Sequence, residues 1–157
     1  GDILKSNKRF FEHIERETKL EISGEHIKRE DLKAWWNELE LGNLSDEYTS
    51  LEIKNILLKE GVTYLDFYNR FKDRAYGIHP SRFENRFKIN PYQRRKMIET
   101  KFLNIAYFRE EEIFKGRFEK VPFFNAEQYF NLTFNDVELW RADHIRGYNE
   151  KQLKLDI

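Results

Sequence analysis

With 157 residues, 36% of them charged and 39% apolar, the chain fits one domain, and no run of apolar residues is long enough to span a membrane. It has no cysteine and no positively charged start leading into an apolar stretch. A disulfide-stapled secreted scaffold is therefore argued against, and a soluble, intracellular protein without a membrane partner is the expectation, nuclear and cytoplasmic homes being indistinguishable. The formal net charge of zero hides a division along the chain. Lys and Arg number 10 against 14 Asp and Glu over residues 1–60, 10 against 4 over 61–101, and 8 against 10 over 102–157. The start Gly1-Asp2 lacks methionine and reads either as a cleavage scar or as a trimmed end, the latter making the chain a piece of a larger protein.

From the amino end, Ile3, Phe10, Phe11 and Ile14 form one apolar face over 3–20, with Glu12/Arg16 and Glu15/Lys19 in the favourable order, so this segment is a helix ended by Ser23-Gly24. Leu32, Trp35, Trp36 and Leu39 repeat at helical spacing between Lys28 and Leu41, ahead of Gly42-Asn43. Thr49 and Glu52 make a capping box for a third helix that stops at Gly61. Thr63 caps a fourth, over 63–76, carrying Phe67, Tyr68 and Phe71. Ser81 with Glu84 reads as the next box, ahead of a helix over 81–88. Asn90-Pro91 opens a helix over 91–102 with a side-chain cap and a proline at the first helical position. The period then changes to alternation. Runs from Leu103 to Phe108 and from Lys115 to Phe124 pair as a hairpin whose connection holds Glu110, Glu111 and Glu112. Asn125 with Gln128, then Val137, Trp140 and His144, mark two closing helices, the last stopping near Gly147.

The fold class expected is α+β, mostly helical, in a single domain: an acidic helical part over 1–60, basic helices plus a hairpin over 61–124, and a helical end over 125–157. Helices over 63–76, 81–88 and 91–102 followed by a hairpin give the element order of a winged helix-turn-helix, and the basic residues between Arg70 and Lys101 fall on them. That density of cations points to phosphate, so the functional expectation is a non-catalytic nucleic-acid-binding domain, with DNA ahead of structured RNA. Winding 91–102 at about 100° per residue with Ile98 and Phe102 toward the core puts Gln93, Lys96 and Thr100 on the opposite side, flanked by Arg94 and Lys101. Glutamine suits adenine and lysine suits guanine in the major groove. Tyr92, Arg82, Arg86 and Arg95 join the candidate binding set, and Lys115 and Arg117 on the hairpin reach a backbone or a minor groove.

Two rival classes stand beside this. The 14 Phe, 8 Tyr and 3 Trp are first of all core material, but an exposed ring is also a docking anchor. Because adjacent helical residues cannot share one direction, either Trp36 is covered by another part of the fold or it anchors a protein partner, which would make the chain an inhibitor or adaptor. The third class is an enzyme, in its concrete form a metal-dependent nuclease. Asp143-His144 with Asn149 resembles the metal-binding end of an HNH nuclease. Against it, His13, His26, His79 and His144 are scattered without zinc-like spacing, and only eight residues follow Asn149. No cofactor is expected, and no catalytic residue is assigned.

Overall fold

Helix starts dominate the local structure, because each leaves backbone N–H groups that a side chain must satisfy. Thr49 accepts from the N–H of Glu52 ahead of α3 (Ser50–Lys59), and Thr63 from Asp66 ahead of α4 (Tyr64–Phe71). These follow α1 (Asp2–Lys19) and α2 (Arg29–Glu38). The computed structural model describes residues 2–20 and 27–148, so the break expected at Ser23-Gly24 lies outside the described residues. The chain divides into two compact units, Gly1–Gly77 and Ile78–Ile157. The boundary falls inside the basic stretch and separates α4 from the next helix. By charge, the first unit holds 13 Lys and Arg against 16 Asp and Glu and the second 15 against 12, so they carry net −3 and +3.

In the first unit, α1 packs on α4 and α3, and α2 on α3. Its core is ring-rich: Trp35 meets the edges of Phe67 and Phe71 with centroids 4.8 and 5.6 Å apart. Both tryptophans are buried, 7% and 6% exposed, because the chain folds back after α2 and the Trp36 indole N–H donates to the Gly42 carbonyl at 2.9 Å. Helix α4 is shorter than its pattern suggests, ending at Phe71, after which Tyr76 takes φ +69° and turns inward. The imidazole Nε2–H of His13 donates to the Tyr76 carbonyl at 2.8 Å, and the Tyr76 hydroxyl shares a 2.7 Å hydrogen bond with Thr18.

Burial pushes the Tyr76 phenol well above the ordinary tyrosine range, against the opposing pull of the Thr18 hydrogen bond. The folded state thus holds a proton that the unfolded state releases near pH 10, and this contribution to stability is present below about pH 10 and lost as pH climbs beyond it. Buried Lys54 works in the other direction, since desolvation lowers its pKa and the penalty eases with rising pH. The informative measurement is a difference: urea midpoints of wild type and Tyr76→Phe between pH 8 and 11 should converge as pH rises. A constant gap would overturn this assignment.

The second unit opens on Ile78, which exchanges both backbone hydrogen bonds with Phe124 at 2.9 and 2.8 Å as an isolated antiparallel bridge. Helix α5 (Pro80–Phe87) is capped by His79 rather than by the expected Ser81, with Pro80 at the first helical position. Lys88 takes a left-handed conformation, φ 56° and ψ 46°, and a three-residue turn leads to α6 (Pro91–Glu99), capped by Asn90 as expected. Two antiparallel strands follow, β1 (Ile105–Phe114) and β2 (Arg117–Phe124), joined at Lys115-Gly116, where Gly116 has φ +83°. The expected connection is therefore misplaced: Glu110, Glu111 and Glu112 lie within β1, paired with Lys120, Glu119 and Phe118. Helices α7 (Ala126–Asn131) and α8 (Phe134–His144) close the described chain. The class is α+β and mostly helical, with eight helices and one hairpin among the described residues. None of these helices is long and apolar enough to cross a membrane.

Candidate nucleic-acid interface

The orientation of α6 decides which side chains are available, and it differs from the wheel reading. Met97 is the fully buried residue of this helix, while Ile98 and Phe102 are only half-buried. Phe102 lies beyond the helix end at Glu99, so it cannot share a wheel with Ile98. The core direction is rotated by about 100°, one residue's worth. Gln93, Lys96 and Thr100 each find a partner on α8 or at its end, Gln93 and Lys96 being half-buried and Thr100 exposed. The Gln93 side-chain carbonyl accepts from Arg141 at 3.2 Å, Lys96 donates to the His144 carbonyl at 3.0 Å, and the Thr100 hydroxyl accepts from the Trp140 indole at 3.0 Å.

The arginines are mostly engaged within the fold. Arg94 donates to Glu84 at 2.8 Å, tying α6 to α5. Arg86 donates to the carbonyls of Tyr129 and Leu132, satisfying the end of α7, and lies 4.5 and 4.6 Å over the rings of Phe87 and Tyr129. Arg82 lies 5.3 and 5.4 Å over Tyr129 and Phe130. In the first unit, Arg70 forms a two-pronged pair with Glu38 at 2.7 and 2.8 Å, which holds the Glu38 carboxyl below its usual range, and Arg74 meets Asp31 at 3.3 Å. These two acidic partners come from α2, so the acidic helical part does neutralise the start of the basic stretch.

What stays open is a smaller set. Opposite Met97, α6 exposes Tyr92, Arg95 and Glu99, with Tyr92 58% accessible and Arg95 meeting no acidic group among the described residues. Lys96 reaches 5.9 Å from the Tyr92 ring, joining this face at its flank. Lys101 follows the helix end at φ +63°, exposed. At the hairpin end Lys115 and Arg117 are exposed, Arg117 lying 3.6 Å from Glu119 and 5.9 Å over the Phe114 ring. Sequence reasoning missed the residue that ties the start of α5 to the outer part of β1: His79 Nδ1 accepts from the Ser81 N–H at 3.1 Å, which leaves Nε2 to donate to Glu111 at 3.1 Å.

The rival sites are placed as follows. Trp36 is buried and hydrogen-bonded, so it presents no ring to a partner and is withdrawn as a docking anchor. His144 stacks on Trp140 with centroids 4.8 Å apart and Nδ1 2.9 Å from the Trp140 carbonyl. Among the described residues no group of three or more His, Asp or Glu comes together as a metal site, and His26 and Asn149 lie outside them. Comparison with protein-family models, curated proteins and solved structures finds no match to this chain.

Proposed function

We propose that the second unit is a nucleic-acid-binding module of winged helix-turn-helix type, with duplex DNA as its ligand and without catalysis. The support begins with topology. A short strand position at Ile78, a helix, a three-residue turn, a second helix and a hairpin follow in order, and the first strand position pairs with the last strand at Phe124. This order supports the winged reading, in which the second helix is offered to the groove and the hairpin to the flanking backbone. Topology alone carries no function. The observation that carries the reading is the open face of α6, where Tyr92 and Arg95 stay exposed while the neighbouring cations are engaged internally, together with Lys115 and Arg117 at the exposed hairpin end.

On this reading Arg95 faces the groove with Lys96 and Tyr92 beside it, and Lys101, Lys115 and Arg117 neutralise phosphates. Gln93, Thr100, Arg82, Arg86 and Arg94 hold the scaffold that presents them. The test is titration of a fluorescent duplex at several salt concentrations. The Arg95→Ala/Lys115→Ala/Arg117→Ala protein should melt like wild type, bind at least about tenfold more weakly, and show a salt slope reduced by about 2 to 3. Failure of the wild type to bind any duplex at low salt, or an unchanged slope in the variant, overturns the proposal.

A further inference from the structure

Apart from half-buried Glu111, the outer half of the hairpin is exposed on both faces, an arrangement that gains little from burial and is stable only marginally by itself. It nevertheless ends in two large rings, Phe114 at 64% and Phe118 at 59% exposure. Their placement follows from register. Phe114 pairs with Arg117, whereas Phe118 pairs with Glu112, and a bulge between Glu112 and Phe114 absorbs Ile113. Adjacent residues of a strand point to opposite faces, so Phe118 lies on the face opposite Arg117 and Phe114. The tip therefore carries one phenyl ring on each face. The Gly116 N–H donates to the Glu112 carboxylate at 2.9 Å, fixing the turn that sets them there.

Charge distinguishes the tip from the stem. Residues 114–118 hold Lys115 and Arg117 and no acid, while the stem next to them holds Glu110, Glu111, Glu112 and Glu119 against Lys120. A hairpin lying along a nucleic-acid backbone would bring those carboxylates against phosphates, which is repulsive; one entering tip-first brings only the two cations. We infer that the tip is a two-sided stacking wedge, with Phe114 and Phe118 each receiving a base on either side of an opened step, and that the preferred ligand is DNA with a junction between paired and unpaired strands. Opening a step in an intact duplex costs unstacking energy that a junction has already lost. The inference rests on the nucleic-acid reading above and adds the ligand class and the residues that recognise it.

The experiment titrates the full chain into a blunt duplex and into a forked duplex of the same sequence with 2-aminopurine at the fork. Wild type should bind the fork about tenfold or more tightly than the blunt duplex and raise the 2-aminopurine fluorescence as the probe leaves its neighbour. Phe114→Ala/Phe118→Ala should melt like wild type, keep its affinity for the blunt duplex and lose both fork preference and fluorescence change. Phe108→Ala, on the exposed stem, should change neither. Equal wild-type affinity for the two probes, or a fork preference that survives in the double variant, overturns the wedge while leaving the duplex-binding reading intact. Binding of neither probe overturns that reading and the wedge with it. Loss of self-association in sedimentation, with DNA affinity unaltered, overturns the wedge in favour of a protein-contact surface.

Discussion

Replacing Arg141 by methionine should lower stability by about 3 to 5 kcal/mol, because it leaves one buried and three part-buried polar groups without their shared partner. Arg141 is 6% exposed, and its guanidinium satisfies four groups: the Gln93 side chain at 3.2 Å, Glu138 at 2.6 Å, the Phe87 carbonyl at 3.0 Å and the Lys88 carbonyl. Two of these are the carbonyls released where α5 ends and the left-handed turn begins. A methionine of similar length fills the volume but donates none of these bonds, so the cost is desolvation rather than a cavity. Lysine keeps the charge without the planar fork and cannot reach all four groups, so Arg141→Lys should recover less than half of the loss. Thermal melts of both variants check this. A methionine variant within about 1 kcal/mol of wild type would mean that water replaces the guanidinium at the turn.

The same residue shows why the basic stretch was only partly readable. Local rules were legible: Thr49, Thr63, Asn90 and Asn125 cap helices where the pattern placed them. The period-2 pattern located the hairpin but not its turn, since three consecutive glutamates read as a loop while in β1 Glu110 and Glu112 are exposed and Glu111 is met by His79. The rotation of α6 was misread because the helix offers few apolar residues to anchor a wheel, and Phe102 belongs to the segment after it. Charge density was legible, but its destination was not. The partner of Arg94 is ten residues away and those of Arg86 lie more than 40 away, on elements that a linear count cannot bring together.

The open cations form a narrower set than the basic stretch of the sequence. Arg82, Arg86, Arg94 and Arg141 bind the second unit together, and Arg70 and Arg74 do similar work within the first. Most of these cations are bonded to carbonyls or carboxylates at close range, so neutralising them should act on stability before it acts on binding. Arg95, Lys101 and Lys115 differ physically, being exposed and outside every ion pair among the described residues, so their loss should leave the melting temperature in place. This contrast separates scaffold from interface by measurement.

Phe83→Ala should also cost about 3 to 5 kcal/mol, and its effect should appear at the hairpin base. Phe83 is fully buried, with its ring centroid 5.0 Å from Phe87, 5.5 Å from Phe124 and 6.4 Å from Tyr129, so one side chain joins α5, β2 and α7. Truncation empties the centre of this cluster, and rings held from three elements cannot all close the space. Phe83→Leu keeps most of the volume and should cost less than half as much. Because Phe124 also carries the bridge to Ile78, loosening its ring should speed amide exchange at Ile78 and Phe124 before the rest of the unit opens. A hairpin base that stays protected in Phe83→Ala, or an alanine variant no weaker than the leucine one, would show that the Ile78 bridge and the His79–Glu111 bond position the hairpin without the aromatic cluster.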